Sequence, residues 1–145
     1  MHVVASRVLR EIGRPLVLQD HETAHQNQLA LVDELRRRGL LGAPDIILDG
    51  HAVLDVRSNP LLISNEDFDA LEPSGIAVVR ADILDIQQRR IEAALPEMSL
   101  ACIDHFQNQE IEHSRRQAER LGVPFLLLDS GDIYALSRWL REAQA

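Results

Sequence analysis

Three features predict an α/β fold for this chain. Apolar runs at residues 45–49 (DIILD), 75–81 (GIAVVRA) and 123–129 (VPFLLLD) have the length and near-continuous hydrophobicity of parallel strands buried on both faces. Segments with a 3.6-residue apolar period separate them, and glycine or proline marks most junctions. Strands alternating with helices imply a parallel sheet with right-handed crossovers and helices on both faces. With 145 residues, 46% of them apolar and 26% charged, the chain has room for one ordinary domain and is short for two.

Residues 2–5 suit a short first strand, and Ser6 suits an N-cap for a helix ending near Ile12, stopped by Gly13 and Pro15. A helix is predicted over 21–38, where Ala24, Leu31, Val32 and Leu35 form one stripe and Arg36 to Arg38 make the last turn basic. After the strand at 45–49, residues 50–63 show no period and read as a long loop, a feature that is usually functional in a compact domain. Ser64 begins a short helix reaching Leu71, with Pro73 and Gly75 beyond it. Asp82 caps the helix after the second strand; that helix runs through Arg90 and is interrupted by Pro96. Over 99–122, Leu100, Ile103, Phe106, Ile111, Ala118 and Leu121 share a third of the helical wheel, leaving His105 and His113 for the surface. Ser130 or Gly131 opens the last helix, with Ile133, Leu136, Trp139 and Leu140 as its core stripe.

Composition excludes several classes of function. A net charge of −8 and an aromatic content of 3% oppose nucleic-acid binding, since both the cationic surface and the stacking platforms are missing. No apolar run approaches the roughly 20 residues of a membrane helix, and no basic segment leads into an apolar one at the start, so a cytoplasmic protein without membrane attachment is expected. The lone Cys102 has no internal disulfide partner and reads as a buried, inert thiol. All 15 basic residues are arginine, which removes Schiff-base chemistry, a Ser-Lys dyad and the lysine of a GxxxxGK[ST] phosphate loop. No serine lies in GxSxG.

The candidate site residues cluster around the first apolar run. Asp49 ends it, at the carboxyl edge where open α/β sheets place their ligands; a carboxylate there can orient magnesium, or simply cap the turn at Gly50. His51 follows directly and lines a pocket or a surface loop. Arg89 and Arg90 offer two guanidinium groups for phosphate oxygens, or a solvated face paired with Glu92 or Asp85. Arg10 carries the same ambiguity. His21 and His25 stand one helical turn apart, without a third ligand at diagnostic spacing, and are read as structural.

In their order along the chain, residues 6–13 (SRVLREIG), 44–54 (PDIILDGHAVL), 60–90 with their terminal QQRR, and 108–129 (NQEIEHSRRQAERLGVPFLLLD) resemble the adenylate-kinase-like branch of P-loop NTPases, often labelled AAA-family ATP-binding proteins. The resemblance covers nearly the whole chain. It implies ATP-dependent phosphoryl transfer to a nucleotide or other small phosphoacceptor. Asp49 would be the acid associated with ATP-bound magnesium, Gly50 and His51 would flank the acceptor pocket, Arg10 would approach the nucleotide or substrate, and Arg89 with Arg90 would contact the transferring phosphates. The lid looks shortened, with no further arginine over residues 91–98.

Members of that family begin with a strand, the GxxxxGK[ST] loop and a helix, all placed before the residues that match His2 onward. Their first strand lies centrally, between the equivalents of the strands at 45–49 and 75–81. Without it, a gap of about 9.6 Å, two strand spacings, separates those two. Three outcomes are expected to differ in function. Either the start lies inside a longer gene, or the flanking strands pair directly in a degenerate non-catalytic module, or a partner chain or second copy inserts the strand. A dimer or an unstable monomer is expected, with no appreciable phosphoryl transfer by these 145 residues alone.

Overall fold

The computed structural model describes residues 1–143, and the chain is α/β. Residues 1–73 and the described residues from 74 onward each gather into a compact unit. Among the described residues there are six helices and three two-stranded sheets, two of them parallel and one antiparallel.

In the first unit, β1 (His2–Val4) passes directly into α1 (Ala5–Glu11). The N-cap is Val4, which offers no side-chain acceptor, so Ser6 lies inside the helix rather than capping it. The predicted cap fails because strand and helix share a junction with no connecting residue. Helix α2 (His21–Arg37) is capped by Asp20, whose Oδ1 accepts from the Thr23 N–H at 2.7 Å; that bond holds the Asp20 carboxyl below its ordinary range. The predicted stripe of Ala24, Leu31, Val32 and Leu35 is buried, and Asn27 and Gln28 are buried with it.

Strand β2 (Ile47–Asp49) lies parallel to β1, with His2, Val3 and Val4 opposite Ile47, Leu48 and Asp49. It starts two residues later than the sequence suggests, because Asp45 takes a left-handed conformation with φ of 61°. Val3 packs with Val8, Leu9, Leu31 and Leu35, and Leu48, Ile12 and Leu71 pack around them. Burying each such valine or leucine contributes about 1.5–3 kcal/mol. Side chains alternate along a strand, so His2, Ile47 and Asp49 share the opposite face, and Ile47 is exposed there. The expected burial on both faces is therefore not met in this unit: helices line the Val3–Leu48 side of the pair.

Glu34, on α2, accepts from Arg37 and from Arg38 Nε, and Arg38 reaches Glu11 of α1 at 2.9 Å. These bonds, with Arg37 the larger contributor, hold the Glu34 carboxyl down to about 2. A depressed carboxyl stabilises the fold above its unfolded value near 4.5, and that contribution disappears as pH falls toward 2. Thermal melts between pH 5 and pH 2 should show this loss, and in Glu34→Gln the dependence over that interval should become shallower.

The segment read as a loop contains a hairpin. Strands β3 (Val53–Val56) and β4 (Asn59–Leu62) pair antiparallel across a two-residue turn, Arg57-Ser58, with φ of 53° and 66°. Both central residues are left-handed, as a tight hairpin requires, although neither is glycine or asparagine. The Asp55 Oδ1 accepts from the Ser58 N–H at 2.7 Å and holds the turn from within. Leu18, Ala24 and Val56 bury the hairpin against α2, with Leu54 and Leu61 beside them. Helix α3 (Asn65–Leu71) is capped by Ser64 as predicted, and Glu72 ends it in a left-handed conformation.

In the second unit, β5 (Ile76–Arg80) and β6 (Phe125–Asp129) pair in parallel, connected through α4 (Ile83–Glu92) and α5 (Leu100–Leu121). Asp82 caps α4, Ser99 caps α5, and Gly122 closes α5 with φ of 68°. Gln107 on α5 clamps the end of β5: its Oε1 accepts from the Ala81 N–H, and its Nε2 donates to the Ala81 carbonyl, both at 2.9 Å. Phe125 lies under the Arg115 guanidinium of α5, 5.3 Å from the ring centre. A Cβ on Gly75 would come within 2.8 Å of the Trp139 ring on α6 (Ile133–Ala143), so α5 and α6 cover opposite faces of this pair.

Four expectations need correction here. His113 is buried rather than on the surface, because α5 buries a polar segment of His113, Ser114 and Gln117 alongside its apolar stripe. Ile133 is exposed rather than core, since it occupies the first turn of α6. Val79 on β5 is exposed, and Cys102 is half-buried. No helix among the described residues is long and apolar enough to cross a membrane.

Candidate functional site

The short β2 strand delivers Asp49 to its carboxyl end, as the apolar run predicts. The parallel register sets Val4 opposite Asp49 and brings His2, two residues earlier on the same face, within reach: His2 Nε2 lies 3.2 Å from Asp49 Oδ2. Both side chains are open to solvent, at 61% and 60% exposure, so this is a screened surface pair rather than a desolvated dyad. Sequence reasoning missed His2, because its partner is 47 positions away and only the register reveals the contact.

At Gly50 the chain turns close beneath the start of α1. An added Cβ would approach the Ala5 Cβ to 3.3 Å, so the site packs tightly where β2 ends. His51 follows on an exposed position. Arg10 is exposed on α1, five residues beyond Ala5 and so about 7.5 Å further along that helix. Its guanidinium makes no hydrogen bond or ion pair among the described residues. The structure thus joins Asp49 to His2 and packs Gly50 against Ala5, while Arg10 forms no hydrogen bond or ion pair with them.

Arg89 and Arg90 belong to the second unit, in the last turn of α4. Arg90 Nη2 donates to the Pro96 carbonyl at 2.9 Å and folds the segment after the helix back onto it. Arg89 is exposed. Consecutive helical positions do not share a face, so the two guanidinium groups leave the helix in different directions.

Among the described residues, no group of three or more His, Cys, Asp or Glu side chains is placed to hold a metal ion. His21 and His25 accordingly lack a converging third ligand. Two concavities of the first unit lie elsewhere than Asp49. One is an open groove of about 770 Å³ between the start of α2 and the hairpin, lined by Asp20, His21, Arg57 and Asn59 among others. The other is a smaller cavity beside it that shares His21. No protein-family model matches the chain, and no curated protein is detectably similar to it.

Proposed function

We propose that this chain is a nucleotide-binding protein of the adenylate-kinase-like P-loop kind, derived from an ATP-dependent phosphotransferase. The observation that supports the reading most is the carboxylate of Asp49, held exposed at the carboxyl end of the parallel strand β2 directly before Gly50 and His51.

Asp49 is the magnesium-associated acid in this reading, with Gly50, His51 and Arg10 on the acceptor side, and Arg89 and Arg90 as phosphate-directed groups of the second unit. The chain holds neither GxxxxGK[ST] nor any lysine, so the donor phosphates lack their cradle. These residues alone should transfer no phosphoryl group; a second copy could add a strand but no phosphate loop, so a partner chain carrying one would be needed. A cytoplasmic setting, where ATP and magnesium are abundant, goes with this reading.

A calorimetric titration with ATP tests it. Micromolar affinity that needs magnesium and is lost in Asp49→Ala supports the proposal, and the absence of binding at millimolar nucleotide overturns it. A second reading, a non-catalytic binding or assembly module, is favoured by one observation: Asp49 and the His2 bonded to it are both open to solvent, at 60% and 61% exposure. Unchanged nucleotide binding in His2→Ala would not support that module, whereas complete indifference to nucleotide would.

A further inference from the structure

The smaller cavity of the first unit, about 200 Å³, lies between α2, the β3–β4 hairpin and the residues that open α3. Its apolar wall is built from Ala24, Leu54, Leu61 and Ile63, and His21 and His25 stand at its side on α2. Two polar groups face it from opposite elements, Gln28 of α2 and Asp67 of α3. Both are more than nine-tenths buried, at 7% and 8% exposure.

Neither side chain has a partner among the described residues. The Asp67 backbone N–H donates to Ser64 Oγ, but its carboxylate makes no hydrogen bond or ion pair, and the Gln28 carboxamide makes none either. Buried as the two residues are, their polar atoms are not sealed off and keep some access to solvent. Metal binding does not explain the pair, since Asp67, His21 and His25 do not form a group able to hold an ion.

We propose that this cavity binds a small organic cation, a protonated amine or amidine on a compact apolar body. The carboxylate of Asp67 accepts from the cationic head, Gln28 fixes its orientation, and the aliphatic wall takes the body. An anion would meet the carboxylate head-on, and a neutral ligand would leave that charge uncompensated. The volume equals about seven waters at liquid density, which suits a ligand well below drug size. The inference is independent of the nucleotide reading, because none of Asp49, Gly50, His51 and Arg10 lines this cavity.

Three isosteric probes test it on the full chain: benzamidine, benzamide and benzoate, followed by calorimetry and by NMR. Benzamidine should bind saturably, benzamide at least tenfold more weakly, and benzoate not at all. In the unmodified chain, benzamidine should shift the Gln28 side-chain amide and the methyl groups of Leu54 and Leu61. Asp67→Asn should weaken benzamidine at least tenfold. Equal affinity for the three probes, full benzamidine binding by Asp67→Asn, or shifts confined to residues outside the cavity would each overturn the proposal. The NMR arm stands even where the variant does not fold.

Discussion

Leu35→Ala is expected to destabilise the first unit by about 3 kcal/mol. Leu35 is 2% exposed and lies where α2 meets Val3, Val8, Leu9 and Leu31, so truncation removes its transfer free energy and leaves a void that two short helices and a two-stranded sheet cannot readily close. A unit of this size has little core to spare. Amide exchange across α2 should accelerate by about two orders of magnitude, the equivalent of that loss. An acceleration below threefold would show that α2 does not depend on this cluster.

Asn27→Ala is expected to cost a similar amount, about 3 kcal/mol, for a different reason. Asn27 is buried, and its carboxamide joins two points of the connection before α2: Oδ1 accepts from Arg14 Nε at 2.7 Å, and Nδ2 donates to the Pro15 carbonyl at 2.7 Å. Truncation strips both groups of this partner at once, and one of the bonds is charge-assisted. Paired with Arg14→Ala in a double-mutant cycle, the two substitutions should couple by about 1 kcal/mol or more, whereas strict additivity would mean that the contact contributes nothing.

The helices of this protein are legible wherever a short-range signal suffices. Asp20, Ser64, Asp82 and Ser99 cap their helices through their own side chains, and Gly122 closes α5, all within one turn of the residues they serve. The hairpin was hidden for the complementary reason. Its turn uses Arg57-Ser58 in a conformation that usually calls for glycine or asparagine, and Pro60 sits inside β4, where it ordinarily argues against a strand. His113 was misplaced because a helical wheel ranks residues by hydrophobicity, and α5 buries polar groups on the same side as Ile103 and Ala118.

The candidate site divides along the same line. Asp49 is visible as the end of an apolar run, whereas its bond to His2 depends on a parallel register between distant segments. Asp67 reads in the sequence as an ordinary acid in the first turn of a helix, favourable to the dipole, and only the folded arrangement shows that it is buried and lines a cavity. Arg90 reads as a cation available to phosphate, and the fold holds it on the Pro96 carbonyl.

The central claim is that Asp49 marks a nucleotide-phosphate site at the end of β2, and an NMR titration of the chain with magnesium and ATP tests it most directly. The amides of Asp49, Gly50 and His51 should shift progressively to saturation, and Asp49→Ala should abolish those changes while leaving the spectrum folded. Resonances of residues 49–51 that stay fixed at millimolar nucleotide, or shifts confined to other parts of the chain, would contradict it.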